Sequence, residues 1–169
     1  MKILLIEDNK FQRITNERAL VKAGYGVIHA GDGEEGLRVA RESIPDLIVL
    51  DMMLPKVSGL DVLRALKGDG LVEHIPVIVL SGLGQANEAK LLKEGAAAFV
   101  VKSEKSFENN SALLISAVEN VLNQTKSIAA TLSSDSGHRR LSLQDVVVKQ
   151  RRDNSGSSPS DRSAPLPEV

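Results

Sequence analysis

Residues 46–66 read DLIVLDMMLPKVSGLDVLRAL and carry the clearest structural pattern of the chain. Its apolar run, Leu47–Leu50, is rich in β-branched and aliphatic residues and is closed by Asp51. A short run of this kind between turn or charged residues is typical of a buried strand. Ser58 then opens a stretch whose leucines recur at helical spacing, at Leu60, Leu63 and Leu66. The segment therefore predicts a strand, a loop and a helix in succession.

The same alternation recurs along the first two thirds of the chain. Apolar runs that predict strands stand at Ile3–Ile6, Val27–Ala30, Leu47–Leu50, Val77–Leu80 and Ala98–Val101. Helical patterns follow each of them: they span Phe11 to Val21 with a stop at Gly24, Glu34–Glu42, Leu60–Leu66, Ala86–Glu94 and Leu113–Val121. Strands that alternate with helices pack as a parallel sheet with helices on both faces. The chain is therefore predicted to be an α/β protein, a doubly wound five-stranded parallel sheet in flavodoxin-like order 2-1-3-4-5, with five helices.

The composition is that of an ordinary globular protein, and it excludes several classes of function. The chain has 169 residues, 42% of them apolar and 25% charged, with a net charge of −1. No basic excess points to nucleic acid or to an anionic membrane. The absence of cysteine excludes disulfides, thiolate catalysis and zinc–thiolate sites. The first apolar run is too short for a signal peptide, and no run approaches the ~18 residues of a membrane span, so a cytoplasmic protein is expected.

A change of composition after about Gln124 predicts two regions. Serine and proline become frequent there and aromatic residues are absent, which is typical of a low-complexity, disordered tail. We therefore expect a folded domain over 1–124 and a tail over 125–169. The tail lacks the periodic apolar helices that a helix-turn-helix module requires, so direct DNA binding is not expected.

Polar side chains stand where the predicted strands end. Glu7 and Asp8 follow the first strand, Asp51 the third, Ser81 the fourth and Lys102 the fifth. The carboxyl ends of parallel strands meet at one edge of the sheet, and the predicted order makes strands one and three neighbours. We therefore expect the three carboxylates to converge within a few ångströms.

Three clustered carboxylates need compensation. At an effective dielectric constant of about 20, two unit charges about 4 Å apart repel by roughly 4 kcal/mol. Protonation or a hard cation relieves the repulsion, and oxygen ligands without cysteine or a local histidine favour Mg²⁺. The Lys102 ammonium and the Ser81 hydroxyl then complete an anion site suited to phosphoryl transfer. Asp51 is the best candidate for a carboxylate nucleophile because it sits centrally.

Several segments together resemble one known family. They read LLIEDN, AGDGEEGL, DLIVLDMMLPKVSGLDVLRAL, IPVIVLSG and EGAAAFVVK. Over roughly residues 1–124 the chain resembles the response-regulator receiver domains of two-component signalling, here in a single-domain form with a C-terminal tail. The resemblance implies a phosphoryl donor, which in this family is a histidine kinase or a histidine phosphotransfer protein.

The resemblance also implies roles for the residues that hold the metal and the phosphoryl group. Glu7 and Asp8 correspond to the metal-binding acids, and Asp51 corresponds to the phosphoacceptor, which also binds Mg²⁺. Met53 corresponds to the residue whose backbone carbonyl binds the metal.

Three residues further along the chain match the family's phosphate contacts and its switch. Ser81 matches the residue that bonds a phosphoryl oxygen, Lys102 the phosphate-pairing lysine, and Phe99 the aromatic residue that reorients on activation. The family usually has proline after the lysine, whereas this chain has Ser103. The expected output is contact with a downstream protein target, without membrane or DNA.

The sequence leaves two alternatives to this function. The chain could be a receiver-like interaction module that acts through its tail without phosphorylation. A phosphohydrolase with an aspartyl nucleophile would need a second Asp two residues after the first, where this chain has Met53. We therefore expect no enzyme activity beyond self-phosphorylation and slow autodephosphorylation. The slow rate is implied by the resemblance: in receivers the residues two after the acceptor and two after the Ser/Thr flank the hydrolytic water, and here these are Met53 and Leu83, which offer no group to orient it.

Overall fold

The computed structural model describes residues 1–82, 88–102 and 107–134, with side chains left out at 107–109 and 129–134. The chain divides into two units, Met1–Lys126 and Ser127–Val169. The five strands are β1 Lys2–Ile6, β2 Gly26–Ala30, β3 Leu47–Asp51, β4 Val77–Ser81 and β5 Ala98–Val101. The helices are α1 Lys10–Lys22, α2 Gly33–Ser43, α3 Gly59–Lys67, α4 Glu88–Lys93 and α5 Phe107–Ser134.

The strands form a single parallel sheet in the order β2-β1-β3-β4-β5. Strand β3 therefore lies between β1 and β4: Leu50 is paired with Ile6 on one side and with Val79 on the other. The predicted fold class and strand order are confirmed. All strands point the same way, so Asp51, the last residue of β3, comes to the edge where β1 and β4 also end.

Two layers of aliphatic side chains hold helices on both faces of the sheet. Successive residues of a strand point to opposite faces. Leu4 and Ile6 pack with residues of α2, α3 and α4, whereas Ile3 and Leu5 pack with residues of α1 and α5. Every residue of β3 and β4 is buried, as expected for central strands covered on both faces.

Helix α1 departs from its sequence pattern. Phe11 and Val21, which share a helical spacing, are 63% and 54% exposed, while Leu20 and Asn16 face the core. The reason is angular: successive helix residues turn by roughly 100°, so Leu20 points well away from Val21. The helix is thus anchored by few apolar contacts, and its inner face is partly polar.

Polar side chains cap the first turns of two helices. The side chain of Asn9 caps α1 and that of Ser58 caps α3, each by accepting hydrogen bonds from backbone N–H groups of the first turn. Helix α4 was predicted from Ala86, and the residues before Glu88 lie outside the described part. Helix α5 continues to Ser134, past the expected domain end at residue 124.

The remainder of the expected tail, 135–169, lies outside the described residues, so the division of the chain into domain and tail stays a prediction. None of the described helices combines the length and apolar character needed to cross a membrane.

Candidate functional site

Three carboxylates converge at the carboxyl edge of the sheet. Asp51 ends β3 and is 2% exposed, and Glu7, which directly follows β1, is fully buried. Asp8 is exposed. One carboxylate oxygen from each of the three lies within 4.8 Å of the others. The convergence expected from the strand order is therefore present.

The ammonium of Lys102 faces these acids. Its Nζ donates hydrogen bonds to Asp51 Oδ2 at 2.7 Å, to Glu7 Oε2 at 2.9 Å and to Gln12 Oε1 at 2.7 Å. A lysine ammonium carries three N–H donors, so these three acceptors account for all of them. The backbone N–H of Lys102 also donates to the Ser81 carbonyl at 2.8 Å, which continues the β4–β5 pairing to the lysine.

Burial and charge act together on Glu7. The pKa of this carboxyl is raised to about 7, mainly by burial and further by the nearby Asp51 carboxylate. The hydrogen bond and the charge of Lys102 lower it in part. Two buried acids therefore share one ammonium, which leaves an excess of negative charge that a further cation would relieve.

The donor set fits a hard divalent cation. Three carboxylate oxygens come together, and the exposed position of Asp8 leaves one side of the cluster open to water. Mg²⁺ binds proteins through one or a few carboxylates while it keeps several waters, and those waters can give way to a phosphate oxygen. The chemistry of these residues therefore suits Mg²⁺.

Local hydrogen bonds fix the orientation of the acids. The backbone N–H of Asn9 donates to Glu7 Oε1 at 3.2 Å, and the Arg13 guanidinium donates to the Glu7 backbone carbonyl at 3.1 Å. The backbone N–H of Met53 donates to Asp51 Oδ1 at 3.1 Å. Both carboxylates are therefore oriented before any ligand arrives.

The remaining predicted residues lie around this cluster. Ser81 ends β4 and is 1% exposed. Met53 is 65% exposed, and its contact with Asp51 is made by its amide. Phe99 of β5 is half-buried and packs against the core layer on the α2, α3 and α4 face. Leu83 and Ser103 lie outside the described residues.

Three contacts at this edge were not predicted from the sequence. These are the bond of Gln12 to Lys102, the bond of Arg13 to the Glu7 carbonyl and a 2.8 Å ion pair between Lys56 and Asp32. The pair joins the loop after β3 to the residue that caps α2. For Gln12 and Arg13 the available signal was that α1 begins directly after Glu7 and Asp8, because residues one turn into that helix must pass close to the end of β1.

Comparison with known proteins agrees with this geometry. The family model described as "Response regulator receiver domain" matches residues 3–116. The chain belongs to this family. Receiver domains are, in general, signalling switches rather than enzymes, and they interact with histidine kinases and with downstream targets.

Two curated relatives illustrate the reach of the family. The polar-differentiation response regulator DivK of Brucella anthropi is 36% identical over 93 residues, which are 55% of this chain and 76% of the relative. The gliding motility regulatory protein of Myxococcus xanthus is 40% identical over 110 residues, 64% of this chain but 14% of that protein. The second match is therefore to a part of a much longer protein.

Solved structures agree on the fold. The chemotaxis response regulator CheY4 of Vibrio cholerae is similar with a TM-score of 0.64 and 25% identity, over 71% of this chain and 97% of that one. A response regulator receiver domain protein from Clostridium thermocellum has a TM-score of 0.62 and 30% identity, over 75% and 98% of the two chains.

Proposed function

We propose that this chain is a phosphoacceptor switch that takes a phosphoryl group from phosphohistidine onto Asp51, with Mg²⁺, in two-component or phosphorelay signalling. The observation that carries the proposal is the position of the Asp51 carboxylate. It is almost fully buried, yet it lies beside two other acids and is bonded by the Lys102 ammonium. A purely structural carboxylate at a strand end has no need of this arrangement.

In the proposed reaction an Asp51 carboxylate oxygen attacks the phosphorus of phosphohistidine. The new P–O bond forms as the P–N bond breaks, and the electron pair of that bond leaves with the imidazole, which takes up a proton from solvent. Glu7, Asp8, Asp51 and the Met53 backbone carbonyl would hold Mg²⁺, which supplies positive charge next to the phosphoryl oxygens when it is bound.

The other residues of the site act on the phosphoryl group once it is in place. Lys102 already points its ammonium at the carboxylate oxygens, so it would pair with a phosphoryl oxygen with little movement. The Ser81 hydroxyl would donate to another. Phe99 would turn inward as Ser81 moves, and the face around β5 would change its preference for a downstream protein.

The donor would be a histidine kinase or a histidine phosphotransfer protein, and the output would be protein contact without direct DNA or membrane binding, in the cytoplasm. The chain would catalyse only its own phosphorylation and a slow autodephosphorylation. The alternative is a receiver-like module that binds its partner regardless of phosphorylation.

The test is incubation with acetyl phosphate and Mg²⁺, followed by intact mass. We expect the wild type to gain the mass of one phosphoryl group and Asp51→Asn to gain none. Asp46→Asn is the matched control: Asp46 flanks the same strand at its other end, where its carboxylate accepts a 2.6 Å bond from the Lys2 backbone N–H. This variant should be phosphorylated like the wild type. A wild type that gains no mass would contradict the proposal and favour the phosphorylation-independent module.

A further inference from the structure

The first turn of α1 places a neutral side chain against the ammonium of Lys102. Gln12 is the third helical residue after the cap Asn9, and its backbone N–H donates to Asn9 Oδ1 at 3.1 Å. Its side-chain oxygen accepts the bond from Lys102 Nζ at 2.7 Å, a distance equal to that from Nζ to Asp51 Oδ2. A cap on one side and an ammonium on the other therefore fix Gln12.

The usual task of glutamine at this position is a different one. In a capping box the side chain of the third helical residue reaches back to the backbone N–H of the cap. Here Glu7 Oε1 accepts the bond from the Asn9 N–H at 3.2 Å. Glu7 thus accepts the bond that a capping box would assign to Gln12, and the Gln12 side-chain oxygen accepts from Lys102 instead.

A cavity next to Lys102 offers its ammonium an alternative hydrogen-bond partner. The cavity has a volume of about 20 Å³, and its polar lining consists of Gln12, Thr15, Asn16, Lys102 and Asn110. A space of this size holds about one water molecule. Without an acceptor at Gln12, one N–H of the ammonium would turn to a water there, and the ammonium would lose a fixed position relative to Asp51.

We propose that Gln12 is a positioning residue that holds the Lys102 ammonium for the phosphoryl group, which rests on the function proposed above. Glu7 and Gln12 keep two of the three N–H donors when Asp51 is phosphorylated. Only the third donor, which now bonds Asp51 Oδ2, then turns to a phosphoryl oxygen. The geometry thus assigns to α1, through Gln12, a role in the phosphoryl site.

The experiment compares Gln12→Met, Gln12→Glu and Thr15→Ala with the wild type. Methionine keeps the length and helix propensity of glutamine but lacks a strong acceptor, and glutamate restores an acceptor oxygen. Thr15 lines the same cavity while its hydroxyl bonds the Phe11 carbonyl at 2.9 Å, so Thr15→Ala is the matched control. The first readout is the ¹H–¹⁵N signal of the Lys102 ammonium, assigned by its loss in Lys102→Met. The second is the rate of phosphorylation by acetyl phosphate at saturating Mg²⁺.

We expect the ammonium signal to persist in the wild type, in Thr15→Ala and in Gln12→Glu, and to broaden beyond detection in Gln12→Met through exchange with water. The phosphorylation rate of Gln12→Met should fall about tenfold, the loss of one charge-assisted hydrogen bond, with its Mg²⁺ affinity unchanged. An ammonium signal that survives in Gln12→Met would overturn the proposal, whatever the rate. If the wild type takes up no phosphoryl group, the proposed function fails, and the ammonium signal alone decides whether Gln12 positions Lys102.

Discussion

Two partly buried lysines lie at opposite edges of the sheet, and their partners differ. Lys102 follows β5 at the carboxyl edge, and its ammonium meets two carboxylates and an amide oxygen. Lys67 ends α3 at the amino edge, from which a connecting segment leads into β4 at Val77. Its ammonium donates to two backbone carbonyls, of Glu73 at 2.8 Å and of Ile75 at 2.6 Å.

The partners distinguish a lysine that stabilises the fold from one that, in the proposed function, contacts the phosphoryl group. Burial lowers the pKa of Lys67 to about 8, with a smaller opposing effect from the Glu73 charge. Its stem packs over Gly95, where a Cβ would lie 3.0 Å from Lys67 Cγ and where φ is +101°. Lys67 thereby links the end of α3 to the segment that precedes β4. Lys102 instead compensates carboxylates that a metal ion or a phosphoryl group would rearrange.

The largest expected effect comes from removing each lysine in turn. Lys102→Met should slow phosphorylation by acetyl phosphate about 100-fold, because the cation that faces the transferred group is gone. Lys67→Met should leave that rate unchanged but destabilise the fold by about 1–3 kcal/mol, because two carbonyls lose their donor. Phosphorylation rates by intact mass and urea unfolding measure the two effects. Equal phosphorylation rates in the two variants would erase the distinction between the lysines.

Mg²⁺ should stabilise the protein by binding at the carboxyl edge of the sheet and not at the amino edge, where Lys67 lies. At a Mg²⁺ concentration 100 times its Kd, binding to the folded state stabilises it by about 2.7 kcal/mol. We expect thermal unfolding to shift upward by about 10 °C between EDTA and Mg²⁺ in the wild type and in Lys67→Met. Asp8→Asn, which removes one acid of the cluster, should lose most of the shift. A full shift in Asp8→Asn would place the metal elsewhere.

The lifetime of the phosphoryl group on Asp51 is expected to depend on the side chain at Met53. The Met53 side chain is 65% exposed beside Asp51 and carries no group that could orient a water. We expect the phosphorylated wild type to persist for minutes or longer, and Met53→Asn to lose its phosphoryl group about tenfold faster, as expected for one added polar contact to the water. The measurement is the decay of the phosphorylated mass after the donor is removed. A half-life of seconds in the wild type would contradict the expectation.

The smallest effect is the pH dependence at Lys67. Its pKa in the folded chain is about 8, below the ordinary 10.5, so the fold favours the neutral amine. The stability of the wild type relative to Lys67→Met should therefore rise as the pH increases from about 8 to about 10.5, by about 1 kcal/mol once solvent screening of the partly exposed group is allowed for. Urea unfolding at several pH values measures the difference. A difference that stays flat would show that the two carbonyl bonds hold the ammonium charged.

The sheet and the meeting of the acids could be predicted because they depend on simple repetition. Short apolar runs such as Leu47–Leu50 that alternate with helical patterns are typical of a parallel sheet covered on both faces, and the polar residue after each run then marks one edge. Glu7, Asp8, Asp51 and Lys102 all follow from that rule, and the structure brings them together.

The sequence could not predict how α1 is rotated about its axis or which hydrogen-bond partner Gln12 contacts. The spacing of Phe11 and Val21 is helical, yet both side chains are exposed, because the face of α1 that packs on the sheet is the one that carries Leu20 and Asn16. Gln12 fits a capping box equally well, and only the position of Glu7 next to Asn9 sends its oxygen to the lysine instead. The length of α5 was also missed, since the residues before Ser134 lack an apolar pattern strong enough to indicate a helix.

The residue that becomes phosphorylated can be identified chemically. Borohydride reduces an aspartyl phosphate to homoserine, which peptide mass mapping can locate. After treatment with acetyl phosphate and Mg²⁺, the account predicts homoserine at position 51 and at no other aspartate. Homoserine at Asp8 or elsewhere, or none in a protein that binds Mg²⁺, would contradict it.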